Sequence, residues 1–170
     1  MNIRLIIFIG ILALQSCNHN LPIAKIRFVR IDRENSLKGY YFLVFDSDIE
    51  LKEMLSKDFT GERLSCFFLK RNDNKLIEDQ IINGGGLELT SVGCFEAISN
   101  KGYRYKVNVT FRNQENNVSA GRMRNQDIEE LKRLFNTYDC ISCVVNAVTF
   151  MDITNRYISE TMCVPTKSFL

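Results

Sequence analysis

Apolar and polar positions alternate with a period of two over much of this chain, which is the pattern of strands with one buried face. The plainest case is residues 103–111. Tyr103, Tyr105, Val107, Val109 and Phe111 fall on one face, and Arg104, Lys106, Asn108 and Thr110 on the other. One side is therefore expected to pack against a core while the other meets water. Ile26, Phe28 and Arg30 alternate with Arg27, Val29 and Ile31 as a first strand. Gly39 then precedes the aromatic and β-branched run 40–45, typical of a buried strand. Residues 64–69, 87–92, 95–98, 141–150 and 156–164 read as further strands, with Asn100-Lys101-Gly102 as a hairpin turn into the strand at 103.

Two stretches change period. Asp46-Ser47-Asp48 offers helix N-caps, after which Ile49, Leu51, Met54 and Leu55 recur at helical spacing. Residues 125–138 carry the clearest helical stripe, formed by Ile128, Leu131, Leu134 and Phe135. Residues 113–121 are polar and read as a loop. The expected fold class is α+β: a mostly antiparallel sheet with two helices packed on it. Asp48-Ile49-Glu50 followed by Ser65-Cys66 is echoed by Asp127-Ile128-Glu129 followed by Ser142-Cys143. This echo suggests a strand–helix–strand duplication that would make Cys66 and Cys143 equivalent.

The first residues break the alternation altogether. Met1-Asn2-Ile3-Arg4 is a short positive region, and residues 5–14 are apolar apart from Gly10. As a helix this run would be roughly 15 Å long, about half of a bilayer core near 30 Å. That is too short to span a membrane but suits the apolar region of a signal peptide. Leu14-Gln15-Ser16-Cys17 resembles the lipobox of bacterial lipoproteins, although Gln15 departs from the small residue preferred at that position. The resemblance implies that Cys17 receives diacylglycerol, that the leader is cut before it, and that the new amino group is acylated, palmitate being one such chain. Two or three acyl chains make a stable anchor where one is marginal. Asn18, rather than Asp, after the cysteine implies the outer membrane in that class. The expected organisation is a signal peptide at 1–16, a lipidated N-terminus and tether at 17–22, and a single α+β domain at 23–170. A chain of 170 residues fits one domain.

Composition narrows the function classes. Twenty-two basic and 20 acidic residues give a formal charge of +2. Losing Arg4 with the leader leaves a near-neutral body, which supplies no electrostatic footprint for nucleic acid. Of six cysteines, Cys66, Cys94, Cys140, Cys143 and Cys163 remain after Cys17. Five is odd, so at most two bridges form and one thiol is left over. Cys140 or Cys143 is expected to pair with Cys163, since successive C-terminal strands tend to be neighbours. Cys140-Ile141-Ser142-Cys143 has redox-pair spacing but follows a helix and opens a strand. A thioredoxin-like site needs the reverse order.

The single histidine, His19, lies on the tether, so histidine-dependent hydrolases and metal catalysis lack their central residue in the domain. Asn83-Gly84-Gly85-Gly86 lacks the lysine and helix that a phosphate loop needs and reads as a turn. No catalytic, cofactor or metal site is expected. The expected function is that of a membrane-anchored envelope lipoprotein acting as a protein-binding module, for example a toxin-neutralising or accessory subunit. Its partners would be the membrane, through its lipid, and another protein. An envelope enzyme using carboxylates or a free cysteine is the alternative.

Overall fold

A computed structural model describes residues 21–32, 40–69, 74–99, 102–115, 118–119, 123–149 and 156–170. The expected signal peptide, lipidated Cys17, His19, the turn residues Asn100 and Lys101, parts of the loop at 113–121 and Phe150 lie outside these.

Among the described residues the elements are β1 (Ile26–Asp32), β2 (Tyr40–Ser47), α1 (Leu51–Asp58), β3 (Glu62–Phe67), α2 (Asn74–Asn83) and β4 (Leu87–Ser91). They continue with β5 (Glu96–Ala97), β6 (Tyr103–Asn113), β7 (Val118–Ser119), α3 (Asn125–Thr137), β8 (Cys140–Val148), β9 (Arg156–Ile158), β10 (Met162–Pro165) and a 3-10 turn at Thr166–Phe169. The strands form one antiparallel sheet in the order β1-β2-β6-β4-β3-β8-β10, with β5 and β7 beside β6 and β9 beside β8. Its two ends nearly meet. Glu160 N donates to Ala24 O at 2.8 Å, and Ala24 N donates to Tyr157 Oη at 2.9 Å, across the seam between β1 and the β9–β10 segment.

This corrects the expectation of an α+β fold made of a mostly antiparallel sheet with two helices packed on it. The sheet curls into a nearly closed barrel and covers its own apolar face, and among the described residues there are three short helices. Alternation specifies only that one face of each strand is buried. It does not distinguish a sheet buried under helices from one buried against itself. Leu43, Leu64, Leu89, Val109, Ile141 and Val145 are all essentially inaccessible inside the barrel.

The helices close the openings and one outer flank. At one end Tyr105 Oη accepts from Leu51 N at 2.9 Å and donates to Glu50 Oε1 at 3.0 Å, fixing the start of α1 beside a Phe45, Phe95 and Tyr105 cluster. At the other, Phe135 of α3 stacks on Phe169 and meets Phe111. The helix α2, absent from the sequence expectation, packs Ile77 on Phe67 and Val144 of the outer sheet face. Its sequence gave little signal because Leu76 and Ile82 stay exposed, leaving a narrow apolar stripe.

The echoed Asp-Ile-Glu letters do not keep a common frame. Glu50 caps α1 by accepting from Lys52 N and Glu53 N, while Asp48 Oδ1 is spent on Lys25 N. Asp127, its supposed counterpart, lies inside the first turn of α3, accepting from Arg124 N and Asn113 Nδ2. The repeated letters do different work in different frames.

Two irregularities set the inner face. A bulge between Phe28 and Arg30 shifts the phase of β1, so Phe28 sits opposite Phe45 and Ile31 opposite Leu43. The strand expected at 156–164 is split. Ser159 N donates to Val145 O, its Oγ accepts from Val145 N, and Glu160 turns to Ala24. No helix among the described residues is long and apolar enough to cross a membrane.

Candidate functional site

Successive side chains of a strand point to opposite faces, so the residues between the barrel-lining positions form the outer surface. On β3, β4, β6 and β8 that surface is unusually polar for how little water reaches it. Ser65 pairs with Thr90, and Thr90 with Thr110, in one continuous cross-strand row. All three are buried. One row along, Phe67 lies opposite Glu88 and Glu88 opposite Arg112. Asn146 lies opposite Arg63 and donates through Nδ2 to Ser65 Oγ at 2.9 Å.

Glu88 is the centre of this cluster. It is 5% exposed, and Gln114 Nε2 donates to its Oε2. Burial pushes its carboxyl above the ordinary value of 4.5, opposed by the Gln114 hydrogen bond and by the charges of Arg112 and Arg63. The glycine turn positions Gln114. Gly85 N donates to Gln114 Oε1, and Gln114 N donates to Gly86 O at 3.0 Å. Gly84, Gly85 and Gly86 all have positive φ, and a Cβ on Gly84 would lie 2.8 Å from Gln114 Oε1. The cluster Asn83-Gly84-Gly85-Gly86 is thus a turn, and it braces the side chain that holds Glu88.

The C-terminal half of α2 overhangs these strands and leaves a groove. One stretch, of about 260 Å³, runs over Ser65, Glu88, Arg112 and Gln114. A second, of about 480 Å³, passes Thr60, Gly61, Val148 and Arg156. They share Arg63, Ile81, Ile82 and Asn146, so the two adjoin. Arginines stand along one side, and Ile81 and Ile82 make an apolar wall on the other.

The cysteines are brought together elsewhere. Cys66 and Cys143 are bonded inside the barrel, and Cys140 is bonded to Cys163 between β8 and β10. Among the described cysteines Cys94 is unbridged and exposed. The expected neighbour relation of Cys163 holds with Cys140, while Cys143 is taken by Cys66 on β3. Both cysteines of Cys140-Ile141-Ser142-Cys143 therefore belong to different bridges.

Sequence reasoning missed Arg63, Glu88 and Arg112. Leu87-Glu88-Leu89-Thr90 alternates cleanly and places Glu88 on the wet face; the signal that it is covered lies in α2. Among the described residues no group of three or more His, Cys, Asp or Glu side chains is placed to hold a metal ion. What the groove offers chemically is the exposed guanidinium of Arg63 beside Ile81 and Ile82, with a carboxyl at its floor. That combination suits binding of carboxylates, which arginine meets in paired hydrogen bonds.

No family model, curated protein or solved structure matches this chain.

Proposed function

We propose that this chain is an exported envelope lipoprotein, anchored through lipid on Cys17, whose folded domain binds another polypeptide. The observation that carries export is the pair of bridges, Cys66–Cys143 and Cys140–Cys163. Such bonds persist outside the reducing cytosol. The apolar stretch 5–14 and the lipobox-like Leu14-Gln15-Ser16-Cys17 supply the route and the outer-membrane anchor. The groove beside α2, which joins the exposed Arg63 to the exposed Ile82, supports the binding role.

Intact mass of the chain extracted from its host's membranes, before and after reduction and alkylation, tests the anchor. The expected mass begins at Cys17, carries two or three acyl chains, and gains four alkyl groups only on reduction. A full-length, unlipidated and fully reduced chain sinks the proposal.

One observation favours a second reading, an envelope enzyme using a carboxylate. Glu88 is a buried acid with a raised pKa in a groove, a combination that also marks catalytic acids. An enzyme of this kind loses turnover in Glu88→Gln while its fold and thermal transition persist.

A further inference from the structure

The hollow beside α3 contains Arg124 and Arg133, but Arg124 is bonded to Asp127 and Arg133 to Glu130, so it selects no occupant. Cys94 is exposed and, among the described cysteines, unbridged, and nothing in the structure indicates what meets it. The end of the barrel nearest Cys17 differs, because covalent reach limits what it can face.

Leu21 packs against the barrel core, and the residues after it are fixed to the barrel. Ala24 N donates to Tyr157 Oη at 2.9 Å, and Lys25 N donates to Asp48 Oδ1 at 2.8 Å. Asp48 lies just before α1, so the chain is pinned at the α1 end of the barrel. Leu21 follows Cys17 by four residues. Fully extended, that stretch reaches at most about 14 Å. The opposite end of the barrel is farther off. There Phe169 lies 5.2 Å from Tyr41 near the start of β2, whose other end is Ser47 beside Asp48. The eight residues of β2 run for about 23 Å. A barrel held at Leu21 by so short a tether cannot turn its Phe169 end to a bilayer in which Cys17 is anchored.

The α1 end also presents apolar side chains to solvent. Ile23 is 63% exposed, Tyr103 43% and Ile98 38%. Ile26 pairs with Ser47 and Ser47 with Tyr103, while Ile98 N donates to Arg104 O, so all three stand at adjoining strand ends. Arg27 and Arg104 meet at the same rim on a shared Asp46. Aliphatic, tyrosine and arginine side chains together suit the headgroup level, where amphipathic rings and long cationic stems reach both phases. Asp48 and Glu50 accept from backbone amides beside them, so the rim offers apolar contact rather than an excess of positive charge.

We propose that the α1 end of the barrel, marked by Ile23, Ile98 and Tyr103, rests on the bilayer surface and that the Phe169 end points away from it. The assignment rests on lipidation of Cys17 and specifies the face that the anchor turns to the membrane.

The test uses the full chain, purified from host membranes, with an environment-sensitive fluorescent residue replacing Ile23, Tyr103 or Leu170, one at a time. Each protein is reconstituted into phosphatidylcholine vesicles containing a headgroup-spin-labelled phosphatidylcholine. The expected result is quenching several-fold stronger at positions 23 and 103 than at position 170. Circular dichroism and the thermal transition verify that each labelled chain is folded. Quenching at 170 equal to or stronger than that at 23 overturns the proposal. Quenching at 23 but not at 103 lays the barrel on its side and also overturns it.

Intact mass of the same samples separates the two levels of the argument. Acyl chains on Cys17 without quenching at any of the three positions retain the anchor and remove the bilayer contact. A chain with no acyl group on Cys17 removes the lipoprotein reading and this inference with it.

Discussion

Cys66 on β3 and Cys143 on β8 face each other directly in the antiparallel ladder, with Cα atoms 4.0 Å apart, and their sulfurs are joined inside the barrel. The bond ties the middle of the sheet to its C-terminal portion across 77 positions of sequence. Cys140–Cys163 spans 23. Chain-entropy arguments make the longer closure the more stabilising, at roughly 4.5 kcal/mol against about 3.4 kcal/mol. Replacing Cys66 and Cys143 together by Ala is therefore expected to lower unfolding free energy more than replacing Cys140 and Cys163 together. Denaturant titration of both double variants under non-reducing conditions compares them. The reverse order would mean that local strain or residual unfolded structure outweighs loop length.

Tyr105 is the hinge pin of the barrel end that α1 covers. Its hydroxyl accepts from Leu51 N and donates to Glu50, so Tyr105→Phe leaves a buried amide without its acceptor. The expected cost is about 1–3 kcal/mol, read as a shift of the denaturation midpoint with unchanged slope. Burial, helped by the Glu50 carboxylate, pushes the Tyr105 phenol up to about 12. The folded state thus holds this proton above the ordinary value of 10. Its contribution to stability is present at neutral pH and is lost as pH rises through the folded value. Ultraviolet titration should show one tyrosine ionising last, and Tyr105→Phe should abolish that step.

Two carboxylates should move stability with pH in opposite senses. Arg104 grips Asp46 in a fork, with Nε to Oδ1 at 2.6 Å and Nη2 to Oδ2 at 3.0 Å, and Arg27 adds a third contact. These partners hold the Asp46 carboxyl below its ordinary 3.8. Its stabilisation is present above that value and disappears as pH falls through the lowered one. Glu88 is raised by burial, so the folded state favours its protonated form and stability falls as pH rises through the raised value. Glu88→Gln mimics the protonated acid. It is expected to match or exceed the parent's stability at neutral pH, with the advantage vanishing toward the acid side. A neutral-pH loss above about 1 kcal/mol in urea denaturation would show instead that the charge on Arg112 and Arg63 depends on Glu88.

The sequence revealed what depends on neighbours along the chain and concealed what depends on neighbours in space. The alternation in β6 correctly placed Tyr105, Val107, Val109 and Phe111 inside, although Tyr103, at the mouth, is exposed. Of the five described cysteines, four are joined in two bridges and Cys94 is left over. The stripe on α3 was legible, yet Ile128 is exposed while Asp127 is buried, because the helix rests by its C-terminal half on Phe111 and Phe169. Closure of the sheet was not legible. It depends on the bulge in β1 and on the turn of Ser159 and Glu160 toward Ala24, features carried by backbone geometry and without a periodic signature. The groove was hidden for a related reason. Arg63, Glu88 and Arg112 occupy ordinary outward positions on three strands, and only the fold sets them side by side.

The last turn of the chain is expected to be structural. Phe169 is 7% exposed, and its ring lies 5.2 Å from Tyr41, 5.2 Å from Phe111 and 5.9 Å from Phe135. It plugs the barrel end that β2, β6 and α3 leave open. Thr166 secures the turn by donating from Oγ1 to Tyr138 O at 2.8 Å and from N to Asp139 O at 3.0 Å. Phe169→Ala opens a cavity among three aromatic rings and should cost about 3–5 kcal/mol. Leu170→Ala, at a side chain 73% exposed, should cost little. Thermal unfolding of the two variants decides it. A small effect at Phe169 would mean that α3 alone closes this end of the barrel, with Phe135 sinking into the vacated space.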